Sequence, residues 1–186
     1  MRRFAALVAT LTVWLAAPAT AGGPDNVVNA SPTADGAQIH RAHVQVASTD
    51  ADTVDSTNLA LAHPHDCTGC EGISVAFQAV IVKGDPSTVS PRNVAAGVNT
   101  DCTSCGAFAF AYQYVVSAGD AHLSDDARAR IDDIRHQADD LVDSGLPYDQ
   151  LDARLQALEA DFKAAVRGGL QAPHTEGARE REQDAG

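Results

Sequence analysis

Residues 53–85 read TVDSTNLALAHPHDCTGCEGISVAFQAVIVKGD, and residues 88–120 read TVSPRNVAAGVNTDCTSCGAFAFAYQYVVSAGD, aligning without a gap. The offset is 88 − 53 = 35 residues, and thirteen of the 33 aligned positions are identical. Among the matches are Asn58/Asn93, Asp66/Asp101, Cys67/Cys102, Cys70/Cys105, Ala76/Ala111 and Gln78/Gln113. Self-similarity at a fixed spacing signals one supersecondary unit used repeatedly, because a single unit cannot bury its apolar face alone. All four cysteines of the chain fall inside this block.

Within each unit the apolar residues alternate. One face of the run Ile73 to Val82 carries Ile73, Val75, Phe77, Ala79 and Ile81, and the matching face of Ala107 to Ser117 carries Phe108, Phe110, Tyr112, Tyr114 and Val116. A period of two specifies strand. The cysteine-free segment Arg41 to Thr49 aligns at the same 35-residue offset, and its valine-rich composition suits a strand. The opposite faces, with Ser74, Ala76 and Gln78, then Ala109, Ala111 and Gln113, are small and largely apolar, so these strands are expected to be covered on both sides. Shorter runs at Asn58 to Ala62 and Asn93 to Val98 supply partner strands, each joined to its long strand by a CxxC loop. The expected unit is a β-hairpin with cysteines at its tip.

Beyond Asp120 the period changes. Ser124 can cap a helix whose first turn holds Asp125 and Asp126, and Ala127, Ile131, Ile134, Ala138 and Leu141 share one stripe. Gly145 and Leu146-Pro147 stop it, and a second stripe follows in Leu151, Leu155, Leu158, Phe162 and Ala165. So short a connection makes the two helices antiparallel neighbours.

The chain ends bound compartment and partners. Residues 1–21 show Arg2 and Arg3, an apolar run and a small-x-small Ala19-Thr20-Ala21, the layout of a secretory signal peptide cleaved near Ala21. Residues 22–37 read as a flexible leader and 171–186 as a disordered tail. No stretch of the expected mature chain is long and apolar enough to span a membrane. Losing Arg2 and Arg3 takes the formal net charge from −12 to about −14, a field that repels nucleic acid and anionic membrane. Two lysines against eleven arginines, with abundant alanine and aspartate, point to a high-GC bacterial source.

Three chemistries suit Cys67, Cys70, Cys102 and Cys105. In an oxidising compartment an even cysteine count means disulfides, with Cys67–Cys70 and Cys102–Cys105 favoured and pairing across the units left open. Thiol-disulfide exchange needs a stabilised thiolate, which the preceding Asp66 and Asp101 oppose. A four-cysteine zinc site drawn from both CxxC pairs is the other alternative, and no further cofactor is expected. Asn58 and Asn93, with Gln78 and Gln113, are polar residues in apolar strands and must find hydrogen-bond partners, so they are assigned a structural role. No catalytic residue is assigned: the chain has no HExxH, nucleophile elbow, P-loop or dinucleotide fingerprint.

With its N-x-A, C-x-x-C and A-x-Q spacing, the stretch from about Arg41 to Val166 resembles the C-terminal extracytoplasmic region of actinobacterial peptide zinc metalloproteases and their small secreted relatives. The resemblance implies a shared non-proteolytic module, since the motif that would carry peptidase chemistry is absent. The expectation is therefore an α+β fold. An antiparallel sheet from the duplicated hairpin (38–120) precedes an antiparallel helical hairpin (121–170). The expected role is a secreted, disulfide-stabilised interaction or accessory module whose protein partner the sequence does not identify.

Overall fold

The computed structural model describes residues 22–171; the expected signal peptide lies outside them, as does the tail beyond Gln171. Six strands wind in successive coils, each coil placing one strand in each of two facing sheets. The first sheet contains β1 (Asn26–Ala30), β3 (Thr53–Ala62) and β5 (Thr88–Gly97), in the order β1-β3-β5. The second contains β2 (Gln38–Thr49), β4 (Glu71–Val82) and β6 (Gly106–Ser117), in the order β2-β4-β6. Every pairing in both sheets is parallel.

This overturns the antiparallel hairpin. The two strands of a unit lie in opposite sheets and pair only with their equivalents in the next unit, Thr53 with Thr88 and Gln78 with Gln113. Parallel strands buried on both faces carry nearly continuous apolar runs, which is what β4 shows. The CxxC loop is the corner between sheets, where eight residues carry the chain from Ala62 to Glu71. Parallel neighbours need a long crossover, here the corner, the strand of the other sheet and the return turn, whereas a hairpin is closed by a tight turn.

The first coil also departs from expectation. Asn26–Ala30, in the segment read as a leader, forms β1 against β3. Its sequence NVVNA follows the pattern of NLALA and NVAAG in the later coils. The offset from β2 to β4 is 33 residues, not 35: Gln45 faces Gln78 and Val44 faces Phe77. A shift of two leaves every side chain on its expected face.

Small residues fill the space between the sheets. Val28, Ala60 and Ala76 meet Ala109 and Ala111 there, and Val54, Val80 and Val82 meet Val115. The other face of the second sheet is the larger core. It is covered by α1 (Asp125–Val142) and α2 (Tyr148–Gly169), which put Ile131, Ile134, Leu155, Leu158 and Phe162 over Val75, Phe77, Ala79 and Ile81. Phe77 is fully buried, its ring 5.8 Å from that of Phe162 and 5.5 Å from that of Phe110. Burying such a side chain contributes about 2 to 3 kcal/mol.

The helices begin and end as their sequence indicates. Ser124 Oγ accepts from Ala127 N at 3.2 Å, and Gly145 takes the left-handed conformation (φ 65°) that the turn requires. In α1 the last buried residue is Val142, one place beyond the expected Leu141. Gly169 lets α2 approach α1, since a Cβ there would collide with that of Ala127. A two-stranded antiparallel pair, β7 (His122–Leu123) with β8 (Leu170–Gln171), closes the base of the hairpin. No helix among the described residues is long and apolar enough to cross a membrane.

Candidate functional site

Stacking identical residues coil upon coil turns single positions into ladders. Asn26, Asn58 and Asn93 form one: Asn26 Nδ2 donates to Asn58 Oδ1 at 2.9 Å, and Asn58 Nδ2 donates to Asn93 Oδ1 at 2.8 Å. The same amides donate across to carbonyls of the second sheet, Asn58 to Ala76 O and Tyr112 O and Asn93 to Ala111 O. Gln45, Gln78 and Gln113 form the second ladder, Gln78 donating to Gln45 Oε1 at 2.8 Å and Gln113 to Gln78 Oε1 at 2.7 Å. Asn58 and Gln78 are fully buried, and their amides are satisfied. The pairs Asn58/Asn93 and Gln78/Gln113 thus come together as structural polar groups. Asn26 and Gln45 were missed because the shorter offset of the first coil hides them.

The cysteines stack in the same way at the corner. Cys67 is bonded to Cys70 and Cys102 to Cys105, with Cα atoms 6.3 and 5.9 Å apart. Pairing within each CxxC resolves the open alternative. The first pair is buried and the second half-exposed. Between the pairs the sulfurs lie 3.3 to 3.9 Å apart. Among the described residues this is the one group of three or more Cys, His, Asp or Glu side chains close enough to share an ion. His63 and His65 do not join it: His63 Nε2 lies 3.0 Å from Thr100 Oγ1, and His65 pairs with Asp66.

The corner owes its shape to the backbone. The third residue of each CxxC, Gly69 or Ser104, has positive φ, as does Gly36 in the first coil. Thirty-three residues before Cys67 and Cys70 stand Ala34 and Ala37, so ADGA is a cysteine-free version of CTGC and CTSC. Main-chain bonds tie the three corners together, Gly36 N to Thr68 O at 2.9 Å and Gly69 N to Thr103 O at 2.8 Å.

A second cluster joins the helical hairpin to the coils. Tyr148 donates to Glu71 Oε1 at 2.9 Å, while His40 lies 3.3 Å from Glu71 Oε2 and 3.1 Å from Asp143 Oδ1. Burial first, then the Glu71 carboxylate that accepts its hydroxyl, raises the Tyr148 pKa well above the ordinary phenol value. Gly106 occupies the position equivalent to Glu71 in the third coil, and a Cβ there would collide with the Tyr148 hydroxyl. A cleft of about 510 Å³ beside α1 is lined by Lys83, Arg128 and Arg135. Its arginines already pair with Asp125 and Asp132.

The edges of the second sheet differ. At β2, Arg135 of α1 donates Nε to Val44 O at 3.0 Å, satisfying an edge carbonyl. At β6, no strand among the described residues pairs with the outer edge. Its twelve residues, GAFAFAYQYVVS, contain no charge and no proline. The neighbouring edge strand β5 is exposed along most of its length, including the inward-facing Val89, and carries Pro91 and Arg92. Proline and charge discourage strand addition at an edge, whereas a long apolar edge invites it.

No protein-family model matches this sequence, and searches of curated proteins and of solved structures likewise find no match.

Proposed function

We propose that this chain is a secreted, disulfide-stabilised, non-catalytic interaction module that engages its partner by adding a strand to β6. The observation that carries the reading is the unpaired twelve-residue edge of β6, uncharged and free of proline, in contrast to the β2 edge, where Arg41 stands in the strand and Arg135 takes the carbonyl of Val44. Main-chain hydrogen bonds along such an edge supply affinity, and side chains on alternate faces supply selectivity. The partner takes the form of another coil, and a second copy of this chain is the one at hand. Export rests on the signal-peptide pattern of residues 1–21. Likeness to the extracytoplasmic regions of actinobacterial peptide zinc metalloproteases rests on the CxxC and A-x-Q spacing.

Main-chain geometry supplies the test. Gly106 N and Ala118 N both donate toward β4, so the alternate amides of Ala107, Ala109 and Ala111 face the open edge. Ala109→Pro removes one edge donor without touching the ladder to β4. Sedimentation velocity over a concentration series should show association of the wild type and a monomeric Ala109→Pro variant, with slowed hydrogen exchange at Ala107, Ala109 and Ala111 in the associated form. Association unchanged by the substitution, or those amides already protected in the monomer, would overturn the edge reading. Intact mass after alkylation, with and without reductant, checks the two disulfides.

A further inference from the structure

We propose that, once both disulfides are reduced, Cys67, Cys70, Cys102 and Cys105 form one tetrahedral tetrathiolate site for a zinc-class divalent cation. The corner would then hold either two disulfides or one metal ion. Neither the edge of β6 nor the partner enters this inference.

Distance is the first ground. Neighbouring parallel strands stand roughly 4.8 Å apart, yet the four sulfur separations between coils are 3.6, 3.9, 3.8 and 3.3 Å. The side chains of the two loops therefore lean together. A zinc–sulfur bond of about 2.3 Å in a tetrahedron puts each pair of sulfurs roughly 3.8 Å apart. Four of the six edges of that tetrahedron are thus already near their final length, and only the two bonded pairs have to open.

The second ground is that the corner does not need the sulfur–sulfur bonds for its shape. The first coil makes the same corner with Ala34 and Ala37, and Gly36 has the same left-handed backbone as Gly69 and Ser104. Thr103 N donates to Cys67 O at 3.2 Å, and Gly106 N donates to Cys70 O at 2.9 Å, so the two loops remain joined by main chain after reduction. The alanines also limit the donor set to four thiols. Cys67 and Cys70 form a buried floor, while the half-exposed Cys102 and Cys105 of the third coil, the last in the stack, give an ion a way in.

Electrons and protons balance with a dithiol reductant. Two molecules of dithiol each pass two electrons and two protons to one disulfide and become cyclic disulfides, leaving four protein thiols. Binding of one divalent cation then releases four protons and leaves a tetrathiolate of net charge −2. Asp66 and Asp101, one residue before Cys67 and Cys102, attract a cation and disfavour uncompensated thiolates.

The test uses the full chain and cobalt(II) as a spectroscopic probe. Oxidised protein should bind no cobalt. After reduction and anaerobic removal of reductant, it should take up one equivalent, with the intense visible bands of a tetrahedral tetrathiolate, and zinc should displace the cobalt one for one. Cys102→Ser should weaken binding by at least about 100-fold, since losing even an outer partner of a ligand costs about 10- to 100-fold. His63→Ala with His65→Ala should leave the spectrum unchanged. Two equivalents per chain, a spectrum with nitrogen or oxygen donors, sensitivity to the histidine pair, or a reduced chain whose strand circular dichroism is lost and not restored by zinc would each overturn the site.

Discussion

The second and third coils carry the same pattern and meet different fates. β4 is buried along nearly its whole length, whereas β6, with Phe110, Tyr112 and Gln113 matching Val75, Phe77 and Gln78, is half-exposed. Nothing in the local residues causes the difference. A coil of this fold is buried by the coils on either side, and β4 has two neighbours where β6 has one. The first coil shows how such an end is made less open: α1 packs on β2, Arg135 takes the carbonyl of Val44, and Arg41 puts a charge in the strand. The two ends are thus chemically unlike, although both come from one repeated pattern.

The widest gap between the coils should appear at Phe77 and Tyr112, which face each other in register. Phe77→Ala opens a cavity beneath Phe162 and should cost about 3 to 5 kcal/mol. Tyr112→Ala, at a half-exposed site, should cost about half as much. Urea unfolding of both variants checks this. Equal losses would mean that the third coil is as tightly held as the second.

The asparagine ladder gives the same contrast in polar form. Asn58→Ala breaks the buried ladder to Asn26 and Asn93 and its bonds to Ala76 O and Tyr112 O, at about 3 kcal/mol. Asn93→Ala strips a donor from Ala111 O at the exposed end, where water replaces it, and should cost under about 1 kcal/mol. Denaturant midpoints would rank the pair, and a reversed order would refute the burial argument.

These ladders also show what was legible in the residues. Strands β2 to β6, their facing sets, the helix stripes ending in Phe162 and Ala165, and the four cysteines could be located from period and spacing, but β1 could not. Strand direction could not, because a period of two is the same in parallel and antiparallel sheets. The discriminating signal was present in the two-sided apolar character of β4 and in the repeated Gln78 and Gln113. An asparagine or glutamine recurring at one position of a two-sided strand finds its partner in its own copy next door, which requires parallel register. The first coil escaped for a different reason: its register to β3 is offset by 32 residues and its register to β4 by 33, so a 35-residue comparison pairs Gln45 with the wrong residue.

Removing the cap should make the two ends more alike. Arg135→Ala frees Val44 O at the β2 edge and, with the guanidinium partly exposed, should cost about 1 kcal/mol. It should also add association through β2 to that through β6. Sedimentation of Arg135→Ala combined with Ala109→Pro isolates the new edge. If the double variant is as monomeric as Ala109→Pro alone, Arg135 does not guard the first coil.

A last contrast concerns how the helical hairpin is anchored, again to the earlier coils. Tyr148 donates to Glu71 of β4, which also meets His40 of β2, while Gly106 of β6 only makes room. Tyr148→Phe should cost about 1 kcal/mol at neutral pH, the strength of a hydrogen bond to a carboxylate discounted for partial exposure. The pH dependence checks that the folded chain holds the phenol neutral. A phenol whose folded pKa lies above its unfolded value of 10.0 contributes stability that is fully present below pH 10 and is lost as pH rises through the folded value. The wild type should therefore lose stability above pH 10 more steeply than Tyr148→Phe, so the two curves converge in alkali. Parallel curves from neutral pH into alkali would show that neither burial nor the bond to Glu71 holds the Tyr148 phenol neutral in the folded protein.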